Sequence, residues 1–326
     1  MWLLKKIILF SQSPADTKYV LSIYERYKTK RIITIFVVNV YNNFVFYQKL
    51  GLTANLKFIP LIAQDNKFKF LAYIVRLRFL RRRLCLEISD SSVYYFSNNH
   101  DYVTSTLIEG LSKANSVYFV DINKIDGDEI KSKKNYLKKM VVKVLLGVNI
   151  KFFNSCGFVG YQYIHDKTKV NVIDMSVDMN TLSNHMEKIQ TADGRKSLLL
   201  FETNNKSLKY FTDYEKDLVG LLSVIVNTYK IYVKPHPRLG YSKCLDFYDV
   251  DVIDVCTPSE FLSLDAFSVL LGVDTSAIAT ATHHKKFSLI DFFGFKNQAD
   301  KEDIKIYLNK LSKGKLEYLD DISQLG

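Results

Sequence analysis

The stretch Tyr229-Lys230-Ile231-Tyr232-Val233-Lys234-Pro235-His236-Pro237-Arg238 decides the fold. Its first half is apolar, aromatic and β-branched, which predicts a buried strand. Its second half stops that strand. Each proline fixes φ at about −65° and restricts the residue before it, so His236 is held extended between two of them. In parallel sheets covered by helices, ligands bind beyond the carboxyl ends of the strands. A rigid imidazole at that place, with Lys234 and Arg238 beside it, suits donation of a proton to a departing phosphate. The plain alternative is a turn in which the prolines do no more than end a strand.

Outward from this stretch, runs of the same kind recur. They are Ser197–Phe201, Val250–Val255, Val269–Val273 and Phe287–Asp291 in the second half, and Lys6–Phe10, Ile32–Val40, Leu56–Leu61, Val93–Phe96 and Val117–Asp121 in the first. Their alternation with helical stretches predicts an α/β protein of two Rossmann-like domains facing a cleft. A chain of 326 residues also exceeds what one hydrophobic core usually serves. The domains are expected at 1–160 and 197–326. Residues 161–196, weakly periodic and containing the turn-rich Thr191-Ala192-Asp193-Gly194, are expected to link them.

The formal charge of +11 predicts a surface that attracts phosphates. It concentrates in two places. Arg76, Arg78, Arg81, Arg82 and Arg83 are threaded among aliphatic and aromatic residues, and six lysines between Lys131 and Lys143 lead into another apolar run. Both segments read as basic amphipathic helices suited to an anionic membrane surface, or as surface helices whose cations cover a core-facing stripe. No nucleic-acid-binding module accompanies the charge, so nucleic acid is not an expected partner. The four cysteines form no CxxC pair, which fits free thiols in a reducing compartment rather than a zinc site. Met1–Phe10 reads as a first strand rather than a signal peptide, and no run reaches the ~20 apolar residues of a spanning helix. The expected location is the cytoplasm, peripheral on the inner face of the cytoplasmic membrane.

Further candidates lie at other strand ends. In Leu271-Gly272-Val273-Asp274-Thr275-Ser276-Ala277 a strand gives way to a helix whose first amides and two hydroxyls suit a phosphate, or serve as an ordinary cap. Thr257-Pro258-Ser259-Glu260 opens a further helix, where Glu260 suits a ribose diol or a capping role. Glu202-Thr203-Asn204-Asn205 is a weaker donor-site candidate. In the first half, Glu109 suits abstraction of a proton from a hydroxyl, and Gly110 leaves room for a sugar. His283 and His284 read as a basic solvated turn. No Asp-x-Asp motif stands where a divalent cation would be expected.

Taken in order, Glu109-Gly110, His236-Pro237 and Thr275-Ser276 resemble the motifs of the bacterial sialyltransferases with a His-Pro signature, among them lipooligosaccharide sialyltransferases and capsular polysialyltransferases. The family has an acidic-acidic-Gly motif, where Ile108 here replaces the first acid, and a serine pair, where Thr275 replaces the first serine. The resemblance spans Leu107 to Ser276 through short motifs. It implies the GT-B glycosyltransferase architecture, with an acceptor domain followed by a CMP-sugar-binding domain. It also implies inverting, metal-independent transfer of sialic acid from CMP-sialic acid to a hydroxyl, commonly galactose, of a surface glycan precursor such as one on undecaprenyl diphosphate. Glu109 would be the general base, with Asp126 competing for that role. His236 would be the general acid. Lys234, Pro237, Glu260, Thr275, Ser276 and Gly110 would bind substrate, with no metal and no further cofactor. Transferases using CMP-Kdo or CDP-glycerol pair similar motifs, and a non-catalytic membrane-surface protein is the reading from another class.

Overall fold

Ile7–Ser11 is buried along its whole length, because it is the central strand of a sheet covered on both faces. In this computed structural model the described residues are 6–60, 67–96, 102–120, 122, 144–146, 151–153, 162–164, 171–189, 195–203, 209–237 and 240–325. The first unit, Met1–Asn184, is built on β1 (Ile7–Ser11), β2 (Ile33–Val38), β3 (Asn55–Ile59), β4 (Ser92–Phe96) and β5 (Ser116–Val120). Helices α1 (Thr17–Tyr27), α2 (Tyr41–Lys49), α3 (Lys67–Glu87) and α4 (Tyr102–Leu111) alternate with these strands. A short antiparallel pair, β6 (Lys151–Phe153) and β7 (Gln162–Ile164), precedes β8 (Asn171–Ile173), and α5 (Met179–Leu182) ends the unit. The six-stranded sheet runs β3-β2-β1-β4-β5-β8, every pairing parallel.

The second unit, His185–Gly326, repeats the plan. Its strands are β9 (Lys196–Phe201), β10 (Tyr229–Lys234), β11 (Val250–Val252), β12 (Val269–Gly272), β13 (Lys286–Ser288) and β14 (Glu317–Tyr318). Its helices are α6 (Tyr214–Ile225), α7 (Ser276–Thr280) and α8 (Gln298–Ser312). The sheet runs β11-β10-β9-β12-β13-β14, again with parallel pairings throughout. Leu198 and Leu200 of β9 pack with Leu218, Leu221 and Leu222 of α6, whereas Leu199 and Phe201 pack on the other face with Ile278 of α7 and Ile304 and Leu308 of α8. Each such leucine, fully buried, contributes about 1.5–3 kcal/mol. Strand order reverses at β9, which puts the switch point of this sheet at Glu202.

All ten strands expected from the apolar runs are present. The expected boundary differs. Residues 161–196 are not a linker, because Asn171–Ile173 pairs with Tyr118–Val120 as the sixth strand of the first sheet and the units divide between Asn184 and His185. Three residues are too short a run to show a period. Helix α3 differs too. Tyr73, Ile74, Leu77 and Leu84 face the core, but Leu71, Val75, Phe79 and Leu86 are exposed, so it is apolar on both faces rather than amphipathic. The lysine-rich segment 131–143 lies outside the described residues.

Candidate active site

Three neighbouring strands of the second unit, β10, β9 and β12, carry the candidate residues at their carboxyl ends. After β10, Pro235 leads to His236, whose main chain makes two hydrogen bonds with Gly240, N–H to carbonyl in each direction at 2.8 and 2.9 Å. Gly240 closes this small loop at φ 77°, a backbone state that strains any residue with a side chain. His236 and Pro237 are half-buried at the loop's start. Arg238 lies outside the described residues.

Lys234 is placed differently from expectation. It is buried, and its Nζ donates to the carbonyl oxygens of Asp254 at 3.2 Å and Pro235 at 3.4 Å, with that of Val255 at 3.5 Å. Burial pulls its ammonium down to about 8, opposed by the charges of Asp254, Cys256, Glu187 and Glu260. Its work is to pin the segment after β11 to the end of β10, not to reach outward for a phosphate. Glu260, within electrostatic range of Lys234, sits in a single 3₁₀ turn, Ser259–Phe261, where an α-helix was expected. Ser259 Oγ donates to Glu260 Oε2 at 3.2 Å.

After β9 comes Glu202, a buried carboxylate at the switch point. The hydroxyl of Tyr214 donates to its Oε1 at 2.8 Å and that of Ser242 at 3.1 Å. Burial pushes the Glu202 carboxyl above its ordinary range, against the pull of these donors. Ser242 follows the His236–Gly240 loop by two residues, so Glu202 ties that loop to the central strand. Thr203 donates to Asp274, which joins the end of β9 to the end of β12. Ser242 was not singled out from the sequence, and Asp274 was named there only within the strand-to-helix stretch, where a capping role was the alternative, not as the partner of Thr203.

After β12 the chain turns sharply into α7. A Cβ on Gly272 would stand 3.0 Å from Thr275 Cγ2 and 3.1 Å from Ile278 Cβ, so a side chain there would need its neighbours to give by a few tenths of an ångström. Thr275 caps the helix, its Oγ1 accepting from Ala277 N–H at 3.3 Å, which is the ordinary role weighed for it. Ser276 is exposed. His283 is structural: its Nε2 is 3.0 Å from the Phe267 carbonyl, and its Nδ1 accepts from the Lys285 N–H at 3.1 Å.

An Asp-x-Asp triplet does occur, as Asp249-Val250-Asp251, but both carboxylates are taken. Asp249 pairs with Lys230 at 2.9 Å and Arg195 at 3.3 Å, and Asp251 lies 3.5 Å from Lys230. Among the described residues no group of three His, Cys, Asp or Glu is arranged to hold a metal ion.

The first unit corrects the acceptor side. Glu109 lies in the last turn of α4, whose end leads directly into the start of β5, so it stands at the amino edge of that sheet and not at the carboxyl edge expected of it. Gly110 faces α3, where a Cβ would come within 2.8 Å of Arg81 Cγ and 2.9 Å of Cys85 Sγ. Its missing side chain makes room for helix packing rather than for a sugar. Asp126 lies outside the described residues. At the carboxyl edge, by contrast, Asp174 follows β8 and lines a hollow of about 510 Å³ with Lys18, Tyr19 and Ser176.

No family model and no curated protein matches the sequence. Among solved structures, the chain is similar to UDP-GlcNAc 2-epimerase from Neisseria meningitidis bound to UDP-GlcNAc, at 10% identity and a TM-score of 0.50 over 98% of this chain and 97% of that one. The S. aureus MnaA–UDP co-structure (10%, 0.49, 96% and 92%) and E. coli heptosyltransferase WaaC with ADP (10%, 0.43, 96% and 92%) are more distant in shape. At such identity the likeness shows the fold: two Rossmann-like α/β units in succession, the GT-B class.

Proposed function

We propose that the chain is a nucleotide-sugar-dependent glycosyltransferase whose donor lies at the carboxyl edge of the second sheet, and that the donor is CMP-sialic acid. The observation that carries this reading is the convergence of His236, Thr203, Asp274, Thr275 and Ser276 on three adjacent strand ends flanking the switch point. Two strand spacings, about 10 Å, separate the ends of β10 and β12, which is the span of a sugar-phosphate. The His-Pro and Thr-Ser resemblance supports the choice of CMP.

The acceptor oxygen attacks the anomeric carbon while the bond from that carbon to the CMP phosphate oxygen breaks. Negative charge grows on the phosphate, where His236 donates a proton and the Ser276 and Thr275 hydroxyls donate hydrogen bonds. Preorganised donors of this kind contribute several kcal/mol because they need not reorient as charge develops. The acceptor oxygen gives up its proton to a general base.

The test is incubation with CMP-sialic acid and a galactose-terminated acceptor, in parallel with CMP-Kdo, CDP-glycerol and UDP-GlcNAc, following nucleotide release and acceptor mass. Release of CMP with a sialylated acceptor is expected, falling about 10²–10⁴-fold in His236→Ala. Turnover of another donor with CMP-sialic acid inert overturns the donor assignment. No turnover of any donor overturns the enzyme reading.

A further inference from the structure

Helix α3 carries a feature that the donor site does not use. Where it crosses α4, toward the amino edge of the first sheet, lies a hollow of about 560 Å³ whose polar wall is Arg78, Arg81, Arg82 and Lys113 and whose apolar wall includes Phe79 and Leu146. None of its lining residues is acidic. Arg81 is fixed in place, its Nη1 donating to the Leu146 carbonyl at 3.4 Å. Arg81 and Lys113 both act on the Cys85 thiol, opposing the rise that burial causes, which places their positive field inside the hollow. Gly110 completes the shape, because a Cβ there would push Arg81 and Cys85 aside.

The second observation is independent of the charge. Leu71, Val75 and Phe79, spaced four apart, stand exposed on the same helix and continue toward Leu86, with Phe79 at 68% and Leu86 at 80% exposure. Arg78 and Arg82 lie between them and are also exposed. A soluble helix seldom leaves such residues in water, whereas a helix lying in a headgroup layer presents apolar side chains flanked by cations. A free phosphate would use the arginines and leave the apolar stripe idle. A phospholipid uses both.

We propose that the hollow between α3 and α4 binds the phosphate of an anionic membrane lipid while Leu71, Val75, Phe79 and Leu86 enter the acyl boundary. The site lies at the amino edge of its own sheet and does not depend on the donor assignment. It would hold the protein on a membrane surface without a spanning helix, and no helix among the described residues is long and apolar enough to cross one.

Vesicle co-sedimentation of the full chain tests this, with phosphatidylcholine vesicles with and without phosphatidylglycerol. Binding is expected to the mixed vesicles alone. Arg78→Ala/Arg82→Ala, which removes two exposed cations each contributing roughly fivefold at an anionic surface, should weaken it roughly twenty-five-fold. Phe79→Ser/Leu86→Ser should weaken it several-fold at unchanged net charge. Both variants change exposed positions, so an unaltered circular dichroism melt is expected of each. Equal binding to both vesicle types, or wild-type binding by the double arginine variant, overturns the proposal. Displacement by inorganic phosphate at the concentration of the lipid phosphate overturns the lipid assignment in favour of a free anion.

Discussion

Lys234 shows how the place of a residue in a short stretch of sequence can suggest work that its side chain does not do. A lysine before Pro-His-Pro reads as a phosphate ligand, yet the strand direction turns its side chain inward, where main-chain carbonyls receive it. The consequence is measurable. Its folded pKa of about 8 lies below the ordinary ~10.4, so between those values the unfolded chain binds the proton that the folded chain has lost. Stability from this group is therefore fully present above the unfolded pKa and is lost as pH falls through about 8. Lys234→Met removes that titration together with the ammonium's hydrogen bonds to the Pro235, Asp254 and Val255 carbonyls, at about 1–3 kcal/mol. The difference in denaturation free energy, wild type minus variant, is expected to rise steadily from pH 7 to pH 10. A flat difference would place the ammonium in water. The strand-end positions of His236 and Ser276 were legible because they need no side-chain detail. Glu202 was only weakly so, since its bonds to Tyr214 and Ser242 join residues 12 and 40 apart in the chain.

At the scale of elements, the pairing of α3 with α4 decides what Glu109-Gly110 means. Sequence reading placed this dipeptide after a strand, which is true, but α4 runs back across the sheet and delivers it to the opposite edge. Ten residues of helix separate the two readings, and the direction of a helix end is not written in a short motif. The glycine itself makes a prediction. In the interior of a helix Gly→Ala ordinarily gains up to about 1 kcal/mol from propensity. Here the new Cβ would meet Arg81 Cγ and Nε and Cys85 Sγ at 2.8–2.9 Å, and overpacking of this kind costs about 1–3 kcal/mol. Gly110→Ala is therefore expected to lower the melting temperature, whereas Gly220→Ala in α6, where a Cβ meets nothing within 4 Å, is expected to raise it. Thermal denaturation of the two variants checks the sign of each. A rise in both would mean that α3 and α4 do not approach so closely.

At the scale of the whole molecule, two sheets of the same order arise from one pattern: strands buried on both faces read as continuous apolar runs, and these appear twice. That made the count of domains legible, while the boundary was hidden because β8 is a three-residue edge strand. The repeated plan does not repeat the chemistry. The Thr203–Asp274 link, the Glu202 network and the closed His236–Gly240 loop all belong to the second unit. Nucleotide binding should therefore be carried by that unit, and CMP is the simplest probe of it. At a hundred times its dissociation constant a ligand adds about 2.7 kcal/mol to whatever unfolds with its site. Hydrogen exchange with CMP should accordingly slow at Glu202, Thr203, His236 and Asp274–Ser276 and through the core strands β9, β10 and β12. The strands of the first sheet, which belong to the other unit, should exchange at their original rates. Protection spread evenly over both sheets would mean that the two units unfold as one. Protection confined to the first would move the nucleotide site there and leave His236 with the structural role of ending a strand.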